Sequence, residues 1–140
     1  MGRILSVDFG LKRIGLGISD PLRNFAFPVG VVENKSLDYV ISEIKKIVLE
    51  KEVDLIIVGL PLNMNHTKGE MAKKAEEFAK KLIKTIGINV EMLDERLSSF
   101  QAEENLKDLG LSGKQSKNFI DAEAARIILE EYLITAKKKS

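Results

Sequence analysis

Acidic residues stand where a fold could use them. Asp8 follows the apolar run Ile4-Leu5-Ser6-Val7, Asp94 and Glu95 follow a second such run ending at Leu93, and Asp121 heads an apolar-rich segment near the end of the chain. One histidine, His66, and no cysteine are available. That excludes a multi-histidine metal centre within one chain, a cysteine-ligated zinc site, a disulfide scaffold and a thiol nucleophile. Oxygen ligands remain, and carboxylates suit a hard cation, Mg2+ or Mn2+. Clustered carboxylates repel one another unless a cation neutralises them. Two such cations, about 3.5–4 Å apart, can clamp a phosphodiester and activate water.

Each position also has a plainer reading. A carboxylate at Asp8, amid an apolar strand and turn, costs several kcal/mol of desolvation unless it is paired or metal-bound, which favours a functional role. Glu95 can serve a site or pair with Arg96, with Asp94 the lesser candidate. Asp121 can be a site residue or an acid favoured in the first turn of a helix, and the residues alone leave that open. Asp20 before Pro21 reads as a turn former. Gly10, Gly15 and Gly17 make no phosphate loop, since no Lys-Ser/Thr follows. They make no dinucleotide fingerprint either, because a strand follows where a helix should open. Gly15 and Gly17 leave one strand face without side-chain bulk, so a helix or a ligand backbone must approach closely there.

Basic residues lie near the acids. Arg13 and Arg96 can each bind phosphate or tie down a carboxylate. Lys114 and Lys117 fall in Leu111–Lys117, a polar segment without acids that is expected to be a mobile loop and suits contact with a phosphate backbone. His66 reads as a loop residue.

The elements that position these groups follow from periodicity. Ile4–Val7 leads into Asp8, and Arg13–Ser19 alternates Ile14, Leu16 and Ile18 against Gly15, Gly17 and Ser19, the period of a strand with one face buried. Phe25–Val32 is a third strand, at an edge or with a bulge because of Pro28. Short connections imply antiparallel pairing. Ser36 caps a helix whose stripe is Leu37, Val40, Ile41, Ile44, Ile47 and Val48. Asp54–Gly59 is a continuous apolar run, as in a buried parallel strand. Leu60–His66 is a loop, and Thr67-Lys68-Gly69-Glu70 has capping-box spacing before a helix that Gly87 stops. Ile88–Leu93 is a fifth strand. A helix from Ser98 to Gly110 and a last one from about Asn118 to Thr135 complete the order β-β-β-α-β-α-β-α-α. Right-handed crossovers then give an α/β fold: a mixed five-stranded sheet with helices on both faces, an order found in ribonuclease-H-like domains. Topology alone does not decide function.

The 140 residues suit one domain, 1–140. Hydrophobic residues at 44% and charged residues at 31% describe a globular chain rather than a disordered one. A net charge of +1 excludes a strongly basic nucleic-acid coat protein. Arg3 and Asp8 in the opening residues argue against a signal peptide, and no apolar run approaches the roughly 20 residues of a membrane span. A cytoplasmic location is expected.

Four blocks carry a family resemblance. Asp8-Phe9-Gly10-Leu11-Lys12-Arg13-Ile14-Gly15-Leu16-Gly17-Ile18-Ser19-Asp20-Pro21 resembles the opening of the YqgF, or RuvX-type, proteins. Val58-Gly59-Leu60-Pro61-Leu62-Asn63-Met64, Asp94-Glu95-Arg96-Leu97-Ser98-Ser99 and Asp121-Ala122-Glu123-Ala124-Ala125-Arg126-Ile127-Ile128-Leu129 agree in order and spacing. The resemblance implies a ribonuclease-H-like fold and a metal-dependent, Holliday-junction-resolvase-like nuclease that trims the 5′ end of pre-16S rRNA in ribosome biogenesis. It implies Asp8, Glu95 and Asp121 as the catalytic and metal-binding set with Mg2+ or Mn2+. Lys12, Arg13, Asn63, Arg96, Lys114 and Lys117 are the expected substrate contacts. Structured RNA or branched DNA is the expected partner, with ribosomal precursor particles, in a monomer or homodimer and without a membrane. Asn65-His66 departs from the family's usual Asp-Gly, and the segment before Asp121 is less basic than is usual. The alternatives are a resolvase-like DNA nuclease, a non-catalytic RNA- or ribosome-binding module, and a phosphotransferase of the sugar-kinase type, which would need a second such domain.

Overall fold

The computed structural model describes residues 2–60, 69–94 and 113–139. In chain order the elements are β1 (Arg3–Phe9), β2 (Arg13–Ser19), β3 (Ala26–Glu33), α1 (Leu37–Lys51), β4 (Val53–Leu60), α2 (Glu70–Ile86), β5 (Asn89–Asp94) and α3 (Gly113–Lys139). The strands form one five-stranded sheet in the order β3-β2-β1-β4-β5. β1 pairs antiparallel with β2, and β2 with β3, while β1–β4 and β4–β5 are parallel. This is the mixed sheet expected from the period changes.

Alternation sorts each strand's side chains onto two faces. Leu5, Val7, Phe9, Ile14, Leu16, Ile56 and Val58 join Val40, Ile41 and Ile44 of α1 and Phe78 and Leu82 of α2 in the larger core. The Phe9 and Phe78 rings meet there with centroids 4.9 Å apart. On the opposite face Ile4, Leu55 and Ile57 pack against Ile128, Leu129 and Leu133 of α3. β2 is therefore buried on both faces, where its alternation suggested one. The glycine face is the second buried face, and α3 covers it.

Local signals explain the ends. The Ser36 side chain accepts from the Tyr39 N–H at 3.1 Å and caps α1. Gly87 ends α2 in the left-handed region at φ 78°, its N–H bonded to the Ile83 carbonyl. Pro28 lies in an edge strand beside a register shift between Leu16 and Gly17, so both of its expected settings are met.

Two boundaries differ from expectation. α2 starts at Glu70 with Gly69 as N-cap and no side-chain cap, so the capping box at Thr67 is not the start signal. Glycine is itself a tolerated N-cap, and Ala72, Ala75, Phe78, Ala79 and Leu82 form the buried stripe. α3 starts at Gly113, so most of the expected loop Leu111–Lys117 is helix, including Lys114 and Lys117. Lys and Gln are good helix formers, and they outweigh the loop signal of the flanking Gly and Ser. The expected helix 98–110 lies outside the described residues. Among the described residues no helix is long and apolar enough to cross a membrane.

Candidate active site

The site is built on the face that α3 covers. Ile4, Ser6 and Asp8 alternate onto it from β1, and Gly17 and Gly15 stand in register with Ser6 and Asp8 on β2. A Cβ placed on Gly15 would lie 2.0 Å from the Asp121 carbonyl oxygen. One on Gly17 would lie 2.7 Å from Ser6 Oγ and 3.0 Å from the Arg126 nitrogen. The missing side chains are what admit the helix backbone. Ala122, Ala124 and Ala125, all buried, keep the helix's side of the seam equally thin.

A polar pin fixes the helix along its axis. The buried Ser6 hydroxyl donates to the Ala125 carbonyl at 2.6 Å. Together these contacts order the seam: Asp121 over Gly15, Ala125 over Gly17 and Ser6, and Ile128 and Leu129 near Ile4. α3 therefore runs antiparallel to β1 and delivers Asp121 to the carboxyl end of that strand, where Asp8 stands. Directly paired positions of an antiparallel ladder hold their Cβ atoms about 4.5–5.5 Å apart. The Asp121 backbone rests on the position that pairs with Asp8, so the two carboxylates are rooted side by side.

Asp121 lies well inside α3, not at its head as the sequence suggested, because the helix begins at Gly113 with no acid in its first turn. The helix-dipole reading of Asp121 is thereby removed. Asp8 is half-buried, next to Gly59 of β4 in the parallel register. Arg13 Nε donates to Asp121 Oδ2 at 2.5 Å, with the two side chains 34% and 22% exposed. Of the two readings left equal for Arg13, the structure shows the carboxylate tie. Lys12 is exposed on the turn before β2.

Asn63, Glu95 and Arg96 lie outside the described residues. Lys114 and Lys117 are placed by backbone only, in the opening turns of α3. The described residues contain no group of three or more His, Cys, Asp or Glu suited to a metal. They contribute two carboxylates, and β5 ends at Asp94, immediately before Glu95. A donor set of carboxylates without nitrogen or sulfur fits a hard cation such as Mg2+ or Mn2+.

Asp20 behaves as the turn former expected of it. Its carboxylate accepts from the N–H groups of Leu22, Asn24 and Phe25. The bond from Phe25 leads in holding its pKa below the ordinary value, against a smaller desolvation effect. Ser6 was not singled out in the sequence. The available signal was a serine inside an otherwise apolar strand, and its hydroxyl pins the helix that carries Asp121.

Comparison with known proteins identifies the family and the fold. The family model RuvX, described as Holliday junction resolvase, matches residues 2–135. A protein of Maridesulfovibrio salexigens named "Putative pre-16S rRNA nuclease" is 40% identical over 134 residues, covering 96% of this chain and 99% of its own. One of the same name from Syntrophomonas wolfei is 42% identical over 131 residues, covering 94% and 93%. Among solved structures, T. thermophilus RuvC in complex with Holliday junction substrate superposes with a TM-score of 0.63 at 16% identity, covering 100% of this chain and 98% of that one. Fowlpox virus resolvase, in complex with Holliday junction DNA, gives 0.59 at 13% identity, covering 96% and 98%. At such identities these two show the shared ribonuclease-H-like fold. The family match and the relatives over nearly full length show more: the chain belongs to the RuvX family of nucleases, enzymes that hydrolyse phosphodiester bonds.

Proposed function

We propose that this chain is a divalent-metal-dependent nuclease that trims the 5′ end of pre-16S rRNA, with Asp8, Glu95 and Asp121 as its catalytic and metal-binding set. The observation that carries the reading is the seat of Asp121 on Gly15, the register partner of Asp8. Two carboxylates rooted at one seam are the donor type that suits a hard divalent cation. The pre-16S substrate is supported by relatives about 40% identical over nearly the whole chain.

In this reading Asp8 anchors Mg2+ or Mn2+ from the end of β1, Asp121 does so from α3, and Glu95 completes the set from the segment after β5. When bound, the cation supplies charge for the phosphodiester oxygens and an activated water. Hydrolysis adds that water across one P–O bond, leaving a phosphate end and a hydroxyl end. Lys12, Lys114 and Lys117 contact the phosphate backbone, as do Asn63 and Arg96, while Arg13 acts on Asp121. The domain is 1–140, working in the cytoplasm on structured RNA within ribosomal precursor particles, as a monomer or a homodimer.

The test is cleavage of an end-labelled precursor rRNA fragment and of a four-way DNA junction by metal-stripped protein with Mn2+ restored. RNA cleavage that falls about 10^3-fold or more in Asp8→Asn is expected, the scale of several kcal/mol of lost charge stabilisation. Cleavage of the junction alone would favour a resolvase-like DNA nuclease. Cleavage of neither would favour an RNA-binding module.

A further inference from the structure

Arg13 begins β2 and shares a sheet face with Gly15 and Gly17. Glu33 on β3 is its cross-strand partner in register. Yet its recorded ion pair is with Asp121, 108 residues away, in a direct 2.5 Å bond from Nε to Oδ2. The pair is only partly exposed, so solvent does not fully screen it. Single-edge contact through Nε holds Oδ2.

We propose that Arg13 is a resident counter-cation of the acidic site: a positioning residue that holds Asp121 beside Asp8 when no divalent ion is bound, with a charge that the incoming ion competes against. The proposal rests on the reading of Asp8 and Asp121 as metal ligands. Its logic is electrostatic. Two carboxylates rooted side by side repel, and a guanidinium bonded to one of them relieves that repulsion in the folded state. A divalent ion relieves it too. The ion-free protein therefore depends on Arg13 more than the ion-bound protein does. By linkage, removing Arg13 must strengthen the ion's hold on the site.

Full-length wild type, Arg13→Lys, Arg13→Gln and the double variant Arg13→Gln/Asp121→Asn are melted with and without MnCl2, and Mn2+ affinity is measured by calorimetry. Arg13→Gln is expected to melt lower than wild type without metal. It is expected to bind Mn2+ about three- to tenfold more tightly, on the scale of one partly screened charge, and to gain more in Tm on Mn2+ addition. Arg13→Lys, which keeps the charge, is expected to bind Mn2+ much as wild type does. The double variant is expected to melt above Arg13→Gln without metal, because the unbalanced carboxylate has gone. Mn2+ binding in Arg13→Gln that is unchanged or weaker than wild type would overturn the proposal, as would a double variant no more stable than Arg13→Gln. Absence of any Mn2+ effect on wild type would instead overturn the metal reading, with the double variant still reporting whether Arg13 holds Asp121 in place.

Discussion

Asp8 stands in an unusual place for a carboxylate. It is half-buried in a strand whose neighbours Val7 and Phe9 are core residues, and the fold brings Asp121 to it. Asn in place of Asp8 keeps the shape and removes the charge. Asp8→Asn is therefore expected to stay folded in metal-free buffer while losing cleavage, which thermal unfolding and the nuclease assay can read on one preparation. Asp20 makes the contrasting case of a carboxylate that shapes a turn. Its folded pKa is lowered, chiefly by the Phe25 N–H. Its contribution is thus complete above its unfolded pKa near 4 and is lost as pH falls through the lower folded value. Replacing it with Asn should give a stability difference from wild type that shrinks on acidification through that range, read by denaturant unfolding at several pH values. The two aspartates differ in a way the residues already suggested: Asp20 precedes a proline, whereas Asp8 stands in an apolar strand. Arg13 was not legible in this way. Its partner lies 108 positions along the chain, and only the closed fold selects between a phosphate and a carboxylate.

At the scale of elements, the seam between β2 and α3 decides whether a site exists. Gly15→Ala would set a methyl group 2.0 Å from the Asp121 carbonyl. All three of the nearest atoms around it are backbone, so the helix must shift. The expected cost is about 1–3 kcal/mol, measured by denaturant unfolding, together with weaker Mn2+ binding than wild type. Ser36→Ala serves as a control for the reading of helix ends: it removes the cap of α1 and should cost about 1 kcal/mol with no change in cleavage rate. The order of elements along the chain and α1 were readable because period and caps are local. The glycine face was readable as a place of close approach, and the structure shows that α3 makes that approach. The start of α3 differs from the loop signal of Gly and Ser because the helix-forming Lys and Gln among them outweigh it. The start of α2 differs because Gly69 serves as the N-cap, past the capping-box spacing at Thr67.

At the scale of the molecule, the absence of cysteine and the single histidine narrowed the chemistry more than they named it. They left carboxylates as the ligands and a hard cation as the partner. Placing those carboxylates together took the whole topology: the parallel β1–β4 pairing, the antiparallel β1–β2 hairpin and a long final helix laid back across it. The central claim is that Asp8, Asp121 and Glu95, from three separate parts of the chain, form one cation site. Mn2+ titration followed by electron paramagnetic resonance tests it most directly, on wild type and on Asp8→Asn, Asp121→Asn and Glu95→Gln. Each substitution is predicted to weaken Mn2+ binding at least tenfold while leaving the protein folded. Wild-type Mn2+ affinity in a folded Asp121→Asn protein would contradict the account.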